Sequence, residues 1–142
     1  CWSDDFQKGM EAYKKGDFAN AIKEWILLGE DGDEKAQYFL GLIYYKGKGV
    51  PQDHKTAIKW YTLSAEQGYA EAQFNLGLMY VLGEGVIEDM VYAHMWFNIS
   101  ASSGSEKGKG LKDLLTEEMT PSQIEKAQEL ARECVKKNYK GC

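Results

Sequence analysis

Apolar residues recur at intervals of three and four along most of this chain, the spacing of one buried helix face. Ala36, Leu40, Ile43 and Tyr44 follow it, and Gly47-x-Gly49 closes the segment, because glycine readily takes the left-handed conformation that ends a helix. Asp53 then stands where a carboxylate caps a second helix by accepting backbone N–H bonds. Ala57, Trp60, Tyr61 and Ala65 share a face of that helix, and Gly68 stops it. The pattern returns at an offset of thirty-six: fifteen of the thirty-six residues in 33–68 are identical in 69–104. Ala36-Gln37 falls on Ala72-Gln73, Leu40-Gly41-Leu42 on Leu76-Gly77-Leu78, Asp53 on Asp89 and Trp60 on Trp96. A period of this length marks stacked supersecondary units, each too small to bury its own apolar face. Gly41 and Gly77 fall inside helices, where glycine costs about 1 kcal/mol relative to alanine. They therefore predict a helix crossing too close for a side chain. Val50 is expected to tuck between repeats.

The flanking segments follow the same logic less regularly. In 4–32, Phe6, Met10 and Tyr13 carry a helix ending at Gly16, and Asp17 caps a second with Ala21, Trp25 and Leu28 on its buried face. The turn between them is five residues shorter than in the repeats, as suits an atypical first unit. In 105–142, Ser105 is placed to cap a helix carrying Leu111, Leu114, Leu115 and Met119, with Gly108 and Gly110 weakening its first turn. Thr120-Pro121-Ser122-Gln123 combines a capping box with proline at the first helical position. The helix it starts carries Ile124, Ala127, Leu130, Ala131, Cys134 and Val135 on one stripe.

The residues Ala-Gln-x-x-Leu-Gly-x-x-Tyr-x-x-Gly-x-Gly-Val, followed by Asp, Ala, Trp-aromatic and Ala-x-x-Gly, resemble the Sel-one-like repeat (SLR), a relative of the tetratricopeptide repeat (TPR). Two full copies cover half the chain. The resemblance implies an all-α fold: a right-handed TPR/SLR-like α-α superhelix, or solenoid, of about four helical hairpins. One helical-repeat domain over 1–142 is expected, divided into a TPR-like hairpin (4–32), SLR repeats (33–68 and 69–104) and a C-terminal helical cap (105–142). The motif consists of packing residues, so it carries over no catalytic residue. It implies protein–protein binding.

Composition narrows the field. With 142 residues, 44% hydrophobic and 27% charged, the chain reads as a globular domain with a sizeable core. A net charge of −5 without a long Lys/Arg block argues against a nucleic-acid partner, which needs a basic face. No apolar run approaches the roughly 20 residues of a transmembrane segment. Cys1 has two readings: the acylated first residue of a bacterial lipoprotein, giving a lipid anchor, or a residue left at a cleavage site. Export to the periplasm or beyond the cell is the expectation, with a cytoplasmic location the alternative.

Candidate chemistry is sparse. Cys134 and Cys142 lie eight apart, and Gly141 lets the tail turn back, so a disulfide there is expected; the alternative is two free thiols, as a reducing cytosol would leave them. His54 and His94 are the only histidines, and neither has companions at metal-ligand spacing, so no metal, cofactor or catalytic residue is assigned. Some cysteine-rich SLR proteins have been linked to β-lactams, which raises a hydrolase acting on β-lactam or cell-wall amides as the alternative function. The Ser-x-x-Lys pattern of serine β-lactamases does not occur here.

In TPR-like hairpins the first helices line the concave face. Carried onto this sequence, that rule assigns Gln7 and Lys14, then Lys35, Tyr38, Leu42 and Tyr45, then Phe74, Leu78 and Val81 to a binding face. Contiguous exposed apolar surface usually marks an interaction site; the other reading is that these rings pack between neighbouring repeats. The expected function is a non-catalytic scaffold that holds a protein or peptide partner on that face.

Overall fold

The computed structural model describes residues 4–142; Cys1, with its two readings, lies outside them. Among the described residues there are eight α-helices and no strand. They form two compact units, one up to Ser64 and one from Ala65 onward.

The first unit contains α1 (Asp4–Lys14), α2 (Phe18–Glu30), α3 (Glu34–Lys46) and nearly all of α4 (His54–Ala65). Gly16 takes a positive φ between α1 and α2, and the Asp17 carboxylate accepts from Asn20 N. The core is built around Trp25, which is fully buried. Its indole N–H donates to Phe6 O at 3.2 Å, and its ring stacks on Phe6 at 5.6 Å. Gly9 makes this possible, since a Cβ there would strike the indole. Met10, Ala21, Ala36, Leu40 and Ile43 complete the cluster, and Val50 packs half-buried against it. Asp33 caps α3 by accepting from Ala36 N at 2.8 Å. The Asp53 carboxylate binds Thr56 N and its hydroxyl at the start of α4. Trp60, expected on the buried face of α4, is only half-buried, while Tyr61 beside it is buried. The tight α3–α4 crossing at Gly41 draws Tyr61 inward, and Trp60 takes the flank against Gly29.

The second unit contains α5 (Ala70–Leu82), α6 (Met90–Ser102), α7 (Glu106–Glu118) and α8 (Pro121–Lys136). Helix α6 packs against the other three. It buries Ala93, His94, Met95, Trp96, Phe97, Ile99 and Ser100, nearly all round its circumference, as a helix surrounded by others must. Asp89 caps it by accepting from Val91 N and Tyr92 N. Gly108 is buried at the start of α7, where a Cβ would collide with Ser100 Oγ. The glycine that was expected to weaken this turn lets α7 rest on α6. Thr120 and Gln123 form the reciprocal capping box of α8. Two residues expected on buried stripes are exposed, Leu114 at 59% and Val135 at 49%. Leu114 is rotated about 100° from half-buried Leu115, and Val135 stands next to buried Cys134 at the open edge of the α6–α8 contact, because α7 and α8 are sheltered mainly on the side facing α6.

Candidate functional site

Helix α3 carries two faces. Ala36, Leu40 and Ile43 are buried, whereas Lys35, Tyr38, Leu42 and Tyr45 form a half-buried stripe at intervals of three and four. The Tyr38 ring lies 5.3 Å from Phe39 and 5.9 Å from Tyr61. Tyr45 stacks on His54 at 4.9 Å, with the ring planes 24° apart. These rings pack against their own hairpin and keep part of their surface exposed. The Gly47 turn, held by its N–H to Ile43 O at 2.8 Å, ends the stripe. Gln7 and Lys14 are exposed on α1.

Helix α5 repeats the design at the same offset. Ala72, Gln73, Leu76 and Met79 are buried, and Phe74, Leu78 and Val81 form the half-buried stripe. Phe74 rests 5.6 Å from the buried ring of Phe97. Thus Tyr38, Leu42 and Tyr45 lie together in the first unit, and Phe74, Leu78 and Val81 lie together in the second.

The two glutamines that recur in register have a role that spacing does not reveal. Gln37 and Gln73 are buried, and their side-chain N–H groups donate to Gly29 O at 2.9 Å and Ala65 O at 3.0 Å. Each adds a second donor to a carbonyl in the last turn of the preceding helix, which also accepts from Gly32 N–H or Gly68 N–H. They are joints of the scaffold, not ligand contacts. The only signal in the sequence was their recurrence after Ala36 and Ala72.

His94 is buried in the second unit, with Nε2 2.9 Å from Thr116 Oγ1. The Thr116 hydroxyl donates to Lys112 O at 2.8 Å, so it accepts from His94 Nε2–H. That arrangement fixes the tautomer and leaves Nδ1 bare, buried and without a partner. Burial, and then the charge of Lys112, lower its pKa below the usual histidine value, with Asp113 opposing. Neutral His94 therefore acts as a tie between α6 and α7. Among the described residues no group of His, Cys, Asp and Glu side chains is arranged to hold a metal, and no helix is long and apolar enough to cross a membrane.

Cys134 and Cys142 are joined as a disulfide, with Cα atoms 5.5 Å apart. Tyr139 N–H donates to Cys134 O at 2.9 Å, and Gly141 N–H to the Glu66 carboxylate at 3.0 Å. The tail therefore folds back on the end of α8.

The family model of the Sel1 repeat matches residues 34–69 and 70–105. Among solved structures, a protective antigen present in uropathogenic Escherichia coli strains and displaying an SLR fold is 25% identical. It superposes with a TM-score of 0.87, covering 95% of this chain and 31% of that one. A Sel1 repeat protein from Oxalobacter formigenes is 35% identical with a TM-score of 0.76, covering 80% of this chain and 46% of that one. The chain therefore spans less than half the length of either. A search of curated proteins gives no match. The two consecutive repeats, and the all-helical fold shared with these structures, make the conclusion direct: the chain belongs to the Sel1 repeat family and has its helical solenoid fold.

Proposed function

We propose that this chain is a non-catalytic scaffold that binds a protein or peptide segment through the half-exposed faces of its first helices. The observation that carries this reading is the stripe of Tyr38, Leu42 and Tyr45 on α3, each half-buried and backed by its own hairpin. Phe74, Leu78 and Val81 repeat it on α5. Aromatic side chains held in this way lose little rotational freedom on binding, and such rings dominate interface energies. Repeats of the Sel1 family typically serve as protein–protein interaction scaffolds, which supports the same reading. Lys35 supplies charge within the first stripe, and Gln7 and Lys14, exposed on α1, supply further polar groups. The Cys134–Cys142 disulfide supports an exported setting, because such bonds persist in oxidising compartments.

The test is quantitative capture from a native cell-envelope extract on the immobilised chain and on its Tyr38→Ala and Phe74→Ala variants. A partner retained by the parent and lost from the variants, with helical content unchanged by circular dichroism, is the expected result. Equal retention on all three would reject these stripes as the binding face.

A further inference from the structure

We propose a second binding surface in this protein, a groove between α6 and α8 that takes an acidic peptide segment carrying an apolar side chain. It lies wholly within the second unit, on the second helix of each pair, and is independent of the first-helix reading above. The groove has a volume of about 320 Å³, at the low end of the roughly 300–1,000 Å³ of ligand-sized cavities. That space suits one or two aliphatic side chains of an extended segment. Ile99 and Ala131, both buried, form its floor, and Val135 forms an apolar wall left 49% exposed.

The rim sets the charge of the occupant. Arg132 and Lys136 stand on α8 beside the apolar floor, with the side chains of Asn98 and Ser102 across from them on α6. Arg132 is the chain's single arginine, in a protein with a net charge of −5. It makes no ion pair among the described residues. Its planar fork of N–H groups matches a carboxylate in two parallel bonds. Lys136 has only an exposed contact to Glu133 at 3.8 Å, a kind of pair worth little in water. Both cations are thus available to a carboxylate whose neighbouring apolar side chain enters between Ile99, Ala131 and Val135. Because the rest of the molecule is acidic, attraction for such a ligand is local to this rim, and salt weakens it.

The experiment is an amide chemical-shift titration of the full chain with a short, end-blocked peptide alternating leucine and glutamate. A control peptide has glutamine in place of glutamate. Expected are shifts at Asn98, Ile99, Ala131 and Val135 with the acidic peptide alone. Arg132→Gln should weaken binding about tenfold, as loss of a charge-assisted hydrogen bond does. Arg132 is exposed, so the variant keeps the fold. Val135→Ser should weaken it as well, and Tyr38→Ala should leave it unchanged. Equal binding of the glutamine peptide, or no shifts at millimolar peptide, would overturn the proposal. So would shifts confined to α3 and α5, which would instead favour the first-helix face. Shifts at the groove that depend on protein concentration without peptide would assign it to a second copy of the chain, again against the proposal.

Discussion

Gly77 on α5 lies against the ring of Phe97 on α6: a Cβ at the glycine would stand 2.5 Å from Phe97 Cε1. The same relation joins Gly41 to Tyr61 in the preceding repeat, with Tyr61 Cδ1 at 2.5 Å. The helix-weakening glycine is therefore retained for packing. Gly77→Leu should cost at least the overpacking penalty of about 1–3 kcal/mol. Gly110, inside α7, has nothing within 4 Å of its Cβ position. Gly110→Ala should stabilise, by up to about 1 kcal/mol of helix propensity. Urea unfolding of both variants checks the pair of opposite signs; stabilisation by Gly77→Leu would contradict the close crossing.

The two repeat tryptophans should differ in weight. Trp96 is 3% exposed, whereas its counterpart Trp60 is half-buried. Trp96→Ala should cost about 3–5 kcal/mol, the range for a large core side chain. Trp60→Ala should cost clearly less, because part of its ring already faces water. Because repeats transmit damage mainly to neighbours, hydrogen exchange should show the loss of protection from Trp96→Ala concentrated in α5–α8.

Acidification should loosen the α6–α7 contact through His94. Its folded pKa lies below the ordinary value because burial, and then Lys112, disfavour the charged ring. The unfolded chain therefore binds the proton first, near pH 6.5. Stability from neutral His94 is fully present above that pH and is lost as pH falls from it toward the lower folded value. His94→Gln should show a smaller loss than the parent over this window. Parallel urea midpoints for the two proteins between pH 7.5 and pH 5 would exclude His94 as the source.

Reduction of Cys134–Cys142 should release the tail without unfolding the chain. Asn138 and Tyr139 both take left-handed backbone conformations, φ 52° and 66°, which non-glycine residues adopt at a cost of roughly 1–3 kcal/mol. The disulfide, Tyr139 N–H to Cys134 O and Gly141 N–H to Glu66 hold them there. In the loop-entropy account a bridge this short contributes roughly 2–3 kcal/mol. Cys142→Ser should raise amide exchange over 137–142 and leave α5 and α6 protected. Non-reducing peptide mapping of native protein should recover the two cysteines linked.

Much of the scaffold was legible in local pattern. The helix of Ala36, Leu40 and Ile43, the caps at Asp17, Asp53 and Asp89, the capping box of Thr120 and Gln123, and the turns at Gly16 and Gly47 all follow from short-range rules. The family, too, is written in the thirty-six-residue period. Near neighbours in sequence determine these features, because capping and helical spacing act within one or two turns. Tertiary packing decided the rest. It turned Gly108 from a weak first turn into a contact with Ser100, left Trp60 half-exposed while burying Trp96, and turned Leu114 and Val135 outward. It also made Gln37 and Gln73 into joints between helices, and fixed the tautomer of His94 through Thr116, twenty-two residues away. Each of these depends on which helix covers which face, and that is set by the summed burial of the whole unit.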